Sequence, residues 1–161
     1  MTYFVILRGP AGSGKTTIAR QLAKQLKAHY ISFDTIMSKS KLDKIKNGNI
    51  PEKNFLEGNE IAIKAAEKCL SKNKPVVFDG CFYYKLQIKH LAKNFLYKHF
   101  AFTLKANLHE CIDRDKKRKN KIGKKNIEAV YKLVTKFNYG KTIDTNGKSA
   151  NEIIKKIIAI I

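Results

Sequence analysis

Residues Gly9 to Thr16 read GPAGSGKT, which satisfies the pattern G-x-x-x-x-G-K-[ST]. Each specified position has a physical task. Glycines at 9, 12 and 14 permit a tight turn that aims successive backbone N–H groups at one point. Lys15 supplies a point charge for β- and γ-phosphates, and the Thr16 hydroxyl suits a magnesium ion. The helix opening near Gly14 adds free amides and the positive end of its dipole. The nucleotide-binding stretch is therefore Gly9, Pro10, Ala11, Gly12, Ser13, Gly14, Lys15, Thr16 and Thr17. A glycine-rich turn with a chance lysine is the bland alternative. Four matched positions between a strand pattern (Tyr3 to Leu7, YFVIL) and a helical one argue against it.

Three further features carry chemistry. Asp79 ends the apolar run PVVFD, as a Walker B acid does, and there it can hold magnesium directly or through water. Its alternative is a turn cap before Gly80. Asp34 follows YISF; it can accept a proton from a substrate hydroxyl, or serve as the N-cap of the helix that follows. Arg114 and Arg118 lie four apart, so on a helix they share a face. Planar guanidinium groups suit the charge spread over a moving phosphoryl group. The charged stretch at about 115–126, with Gly123 inside it, reads as a small lid that brings these arginines in.

These residues need elements to hold them. Ile18, Ala19, Leu22, Ala23 and Leu26 predict a helix from the loop to about His29, then a strand at Tyr30 to Phe33. Lysine-rich Ser38 to Pro51, with Gly48, reads as a short helix and a mobile connection. Phe55 to Leu70 is a helix with Ile61, Ala65, Ala66 and Leu70 inward, and a strand from Pro75 follows. A helix at Leu86 to Phe95, a strand at Phe100 to Leu104 and a helix at Leu108 to Arg118 come next. A helix carrying Ile127, Val130, Leu133, Val134 and Phe137, a strand near Thr142 to Asp144 and a helix from about Ser149 complete the chain. Strands alternating with helices predict an α/β fold, a parallel sheet covered on both faces, in one domain over 1–161. Ligands of such sheets bind beyond the carboxyl ends of the strands.

Composition sets bounds. Lys and Arg total 33 against 13 Asp and Glu, a net charge of +20, which favours polyanionic partners such as nucleic acid. Only Arg8, Arg20, Arg114 and Arg118 are arginine, so lysine-rich coding bias is an equal explanation. No apolar stretch is long enough to span a bilayer, and no signal peptide precedes the first strand, so a cytoplasmic protein without membrane contact is expected. Cys69, Cys81 and Cys111 read as free thiols. Oligomeric state is not legible.

With GPAGSGKTT, YISFD, PVVFDG and ECIDRDKKR in place, the chain resembles the small P-loop kinases that phosphorylate hydroxyl groups, over nearly its whole length. Polynucleotide kinase, adenylylsulfate kinase and gluconate kinase belong to that group. The resemblance implies a three-layer P-loop NTPase fold with a five-stranded parallel sheet in order 2-3-1-4-5, and the use of ATP and Mg2+. It implies Lys15 and Thr16 as the loop lysine and magnesium hydroxyl, and Asp34 as the base. Arg118 then faces the transferring phosphate and Arg114 lies beside the nucleotide. The turn at Asp144 to Gly147 resembles the one flanking adenine.

One departure bears on the acceptor. Polynucleotide kinases carry an arginine three residues after the base, where this chain has Met37; Lys39 or Lys41 cannot copy a planar donor. The cluster CFYYK, with Phe82, Tyr83, Tyr84 and Lys85, lies on the expected acceptor side, where at least one ring belongs to the core and the others can stack a base or sugar. The leading expectation is an ATP-dependent kinase of a hydroxyl, slightly favouring a nucleic-acid 5′-hydroxyl. A small-molecule alcohol kinase and a nucleotide-switched RNA-binding ATPase are the alternatives.

Overall fold

The computed structural model describes residues 2–46 and 50–161. Five strands form one parallel sheet in the order β2-β3-β1-β4-β5. They are β1 (Tyr3–Arg8), β2 (His29–Ser32), β3 (Val76–Gly80), β4 (Lys98–Lys105) and β5 (Lys141–Asp144). The helices are α1 (Lys15–Gln25), α2 (Phe33–Lys39), α3 (Glu52–Leu70), α4 (Lys85–Lys93), α5 (Leu108–Lys116), α6 (Lys124–Val134) and α7 (Ala150–Ile158).

The three layers follow from the alternation along β1. Phe4 and Ile6 point to one face, where they pack with Ala62 and Ala66 of α3 and Ile88 and Leu91 of α4. Val5 and Leu7 point to the other, against Ile18 and Leu22 of α1 and Ile153, Ile154 and Ile157 of α7. Strands buried on both faces must be near-continuously apolar, as VVF of β3 is. A smaller cluster of Ala11, Ala106, Cys111 and Ile127 joins the phosphate loop to α5 and α6. Among the described residues, no helix is long and apolar enough to cross a membrane.

Several boundaries differ from the sequence-based expectations. Helix α1 stops at Gln25, not near His29, because the chain turns left-handed at Lys27 (φ +50°) and His29 opens β2. Strand β2 ends at Ser32, so Asp34 is not a strand terminus; it lies in the first turn of α2. Nor is Asp34 the N-cap: the Ser32 hydroxyl takes that place, accepting from the Thr35 amide at 3.3 Å. Helix α3 begins at Glu52 and is rotated from the expected face. Ile61 is 41% exposed while Phe55, Ala62, Ala66 and Leu70 are buried. Helix α6 ends at Val134, leaving Phe137 in the following segment. Gly48 of the expected mobile connection lies outside the described residues.

Candidate active site

Register places the polar groups before any side chain is considered. Asp79 in β3 is level with Leu7 of β1 and Ser32 of β2. The phosphate loop leaves β1 two residues after Leu7, and Asp34 follows Ser32 by two. Three strand ends therefore deliver Lys15, Asp34 and Asp79 to one place.

The phosphate loop is held from behind by α5. Gly12 (φ +84°) and Gly14 (φ +86°) take a backbone conformation that suits glycine. A Cβ on Gly12 would come within 2.4 Å of the Cys111 carbonyl oxygen, so the loop can pack on α5 only without one. Arg114 donates to the carbonyls of Ser13 (3.0 Å), Gly12 (3.4 Å) and Thr145 (3.2 Å), and is paired with the Glu110 carboxylate. It thus binds the carbonyl side of the loop, leaving the amides to face a ligand. Beside it, Ser13, Gly14, Thr17, Arg114, Lys148 and Ala150 line a cavity of about 260 Å³. The end of β5 closes this side through Asn107 N–H, which donates to Asn146 Oδ1 at 2.8 Å.

Lys15 is 6% exposed. Burial alone would lower its pKa, but Cys81 and the carboxylates of Asp34 and Asp79 outweigh burial and hold the ammonium charged. Asp79 is 2% exposed, and burial raises its carboxyl against the pull of Lys15, Tyr30 and Thr16. Asp79 Oδ2 accepts from the Tyr30 hydroxyl at 2.8 Å, while Oδ1 has no hydrogen-bond partner. A buried carboxylate oxygen without a donor, close to a threonine hydroxyl and the loop, is chemically suited to a hard cation such as Mg2+. Tyr30 was not legible as a site residue, since a tyrosine in a β-strand carries no functional signal.

The arginine pair does not behave as one unit. Helix α5 ends at Lys116, so Arg114 and Arg118 do not share a helical face. Arg118 lies beyond the helix, exposed, with its guanidinium 3.9 Å from Asp115. The segment expected to form a lid lies between α5 and α6. Asp115, 3% exposed, accepts from the amides of Ile122 (3.0 Å) and Gly123 (3.0 Å), tying the far end of the segment to α5. These bonds hold the Asp115 carboxyl below the ordinary range. Asp115 hides in the sequence among charged neighbours.

On the opposite side of Lys15 the site is aromatic. Phe82 is buried at φ +49°, unusual for a bulky residue, and is held there by Phe33 (ring centroids 5.0 Å) and by Arg8, which donates to its carbonyl at 3.3 Å. This turn presents Tyr83 and Tyr84 to Phe55, with ring centroids 5.3 and 5.5 Å away. The Tyr83 hydroxyl is raised by burial, then by neighbouring Cys81 and Asp34. Met37 is buried, and a Cβ on Gly58 of α3 would meet its sulfur at 2.8 Å, so this position belongs to the core.

Arg8 was missed as a candidate because it continues an apolar strand. It is wholly buried and donates to Thr103 Oγ1 (3.2 Å), Phe137 O (2.9 Å) and Val134 O (2.8 Å) as well as to Phe82. Its guanidinium lies 4.2 Å from the Phe137 ring centroid, and burial lowers its pKa to about 10. Arg8 joins the end of β1 to the aromatic turn and to the C-terminus of α6. A cavity of about 430 Å³ between β4, β5 and α6 borders Pro10 but is not lined by Lys15, Asp34 or Asp79.

A phosphate-binding loop thus follows the central strand, with Asp34 and Asp79 near its lysine. Residues 4–137 match the AAA domain family AAA_33, and the chain belongs to that family of P-loop kinases. A relative from Pyrococcus furiosus, named "Putative adenylate kinase", is 26% identical over 166 residues, covering 98% of this chain and 83% of the relative. The fold is shared with a sugar kinase from Janibacter sp. HTCC2649 (TM-score 0.81, 13% identity, 99% of this chain and 94% of that one). It is also shared with the APS kinase of Mycobacterium tuberculosis in complex with AMPPNP and APS (TM-score 0.72, 15% identity, 99% and 96% covered).

Proposed function

We propose that the protein transfers the γ-phosphate of ATP to a hydroxyl group. The observation that carries this reading is the buried Lys15 ammonium flanked by Asp34 and Asp79, of which Asp79 is buried and Asp34 exposed at the mouth of the site. The amides from Gly9 to Thr17 would cradle the phosphates, and the adenine would enter the cavity beside Thr17, Arg114 and Lys148. Thr16 and Asp79 would hold Mg2+, which supplies charge neutralisation on the phosphates when bound. Asp34 takes the proton of the acceptor hydroxyl as its oxygen bonds to the γ-phosphorus and the bond to the ADP oxygen breaks. Lys15 stabilises the charge that develops on the phosphate oxygens. Arg114 acts here through the loop it braces. Arg118 reaches the phosphates only if the lid moves, since it is paired with Asp115.

A small-molecule alcohol is the acceptor this geometry favours. The arginine that would grip a nucleic-acid end is replaced by buried Met37, and the acceptor side is aromatic. The sugar kinase and APS kinase that share the fold are small-molecule kinases, which agrees with this choice. The net charge of +20 favours a second reading, transfer to a 5′-hydroxyl end of a nucleic acid.

The test is to follow labelled γ-phosphate from ATP to small alcohols and 5′-hydroxyl oligonucleotides, with wild type and Asp34→Asn. Transfer to an alcohol is expected, and Asp34→Asn is expected to reduce it by about 10² to 10⁴ while ATP binding persists. Label released only as free phosphate with every acceptor would refute the kinase reading. Equal loss of binding and transfer in Asp34→Asn would remove its role as base.

A further inference from the structure

A further cavity opens beside the aromatic turn that follows β3; Tyr83 and Tyr84 line it, while Lys15, Asp34 and Asp79 do not. The inference drawn from it rests on the kinase reading above and goes on to the substrate class. About 360 Å³ of space lies between the aromatic turn and α6, at the small end of the roughly 300–1,000 Å³ of ligand pockets. Phe55, Tyr83 and Tyr84 form one wall. The other is Asn126, Ala129, Val130 and Leu133, spaced i, i+3, i+4, i+7, so they form one stripe along α6.

That stripe borders the inward face of the helix, and Val130 packs partly against the cluster of Ala11, Ala106, Cys111 and Ile127. Ile127 and Val134 are buried and hold α6 to the body of the protein. Ala129 is exposed, and Val130 and Leu133 are only partly buried. At the mouth, Ile45 and Ile122 are 70% and 38% exposed. Large apolar side chains thus converge on an open cavity beside a reactive centre, where they lose the benefit of burial unless a ligand covers them.

The polar groups narrow the choice. Among the described lining residues there is no lysine, arginine, aspartate or glutamate. The Tyr84 hydroxyl already donates to Ile50 O (3.2 Å), and the Asn126 amide to Ile122 O (3.0 Å). Tyr83 leads back to the chemistry: it follows Phe82, whose ring centroid lies 5.0 Å from that of Phe33, the residue before Asp34. A carboxylate or phosphate on the acceptor would lose its hydration here and gain no counter-charge. Among the described lining residues a polyhydroxylated body would find few free partners for its hydroxyls.

We propose that the acceptor is an uncharged alcohol with an aromatic or apolar body. The body sits between Tyr83, Tyr84 and Phe55 on one side and Ala129, Val130 and Leu133 on the other, with its hydroxyl directed past Tyr83 to Asp34.

The experiment offers the full-length protein, with ATP and Mg2+, a set of uncharged aryl and alkyl primary alcohols. Each is paired with a twin bearing a carboxylate at the far end of the same skeleton; gluconate and a 5′-hydroxyl oligonucleotide are included. The uncharged members are expected to exceed their twins in kcat/KM by about tenfold or more, the scale set by burying an unpaired charge. Ala129→Lys places a cation in the wall at an exposed helical position that the fold tolerates. It is expected to shift the preference toward the carboxylated twins by a similar factor, with an unchanged melting temperature. Equal or better use of the twins, gluconate or the oligonucleotide overturns the acceptor class and leaves the kinase reading standing. A preference untouched by Ala129→Lys overturns the placement in this cavity. Label recovered only as free phosphate overturns both the class and the kinase reading.

Discussion

The two sides of the cleft are built on different principles. On the donor side the working groups are backbone amides, and the protein spends its side chains on holding that backbone still. Arg114 bonds to the carbonyls of Gly12, Ser13 and Thr145, and Asn107 bonds to the turn after β5. On the proposed acceptor side the surface is made of side chains, drawn from α3, the turn after β3 and α6. A triphosphate presents the same oxygens to every enzyme that uses one, so a backbone cradle serves all of them. An acceptor differs from enzyme to enzyme, and side chains can vary without disturbing the sheet. Rigidity belongs to the first problem and chemical variety to the second.

Arg8 offers the sharpest way to break the comparison, because it is the buried anchor of the acceptor side. Arg8→Met removes four hydrogen bonds, one to the last residue of α6, one to Phe137 in the segment after it and one to the Phe82 carbonyl. A loss of about 3–5 kcal/mol in urea-unfolding stability is expected, because three buried carbonyls and a hydroxyl lose their donor. In the population that remains folded, acceptor KM is expected to rise more than ATP KM. A matched rise in both would mean that the two sides are not separable.

Gly12→Ala addresses the donor side. The new methyl meets the Cys111 backbone at 2.4 Å and the position has φ +84°. A loss of about 2–4 kcal/mol is expected from overpacking together with backbone strain, read by thermal or urea unfolding. Here ATP affinity, measured by calorimetry, is expected to fall while the acceptor side keeps its shape. Unimpaired ATP binding would show that the contact with α5 does not set the geometry of the loop.

Asp115 gives the smallest effect and tests the lid that joins the two sides. Its carboxyl is held below the ordinary aspartate value of 3.8 by the amides of Ile122 and Gly123. A depressed native pKa means that this anchorage is complete above 3.8 and is lost as the pH falls through the lower native value. Amide exchange at Ile122 and Gly123, corrected for its intrinsic pH dependence, is therefore expected to stay slow near neutrality and quicken only in acid. Asp115→Asn is expected to quicken it at neutral pH. Protection that ignores both changes would show the lid is held by something else.

The donor side could be read from the chain because it is local. Eight consecutive residues, an apolar strand before them and an amphipathic helix after them specify the loop, and Asp79 lies in an unmistakably buried strand, one residue before its end at Gly80. The order of the strands came from resemblance to small P-loop kinases, and the observed sheet agrees. Errors gathered where one residue changes the hydrogen-bonding partner. Ser32 ended β2 and capped α2, which moved Asp34 from a strand tip to a helical turn. The end of α5 at Lys116 separated two arginines whose spacing suggested a common face.

By itself, the sequence determined the phosphate loop with its lysine and the two-faced sheet that presents it, because periodicity and short-range motifs encode these directly. The tertiary structure alone decided the rest. It turned Arg114 onto loop carbonyls, buried Arg8 as a tie between four segments, and made an apolar cavity from residues up to 88 positions apart (Ile45 to Leu133). No local pattern carries such information: a side chain's partners across the fold depend on where every intervening element packs.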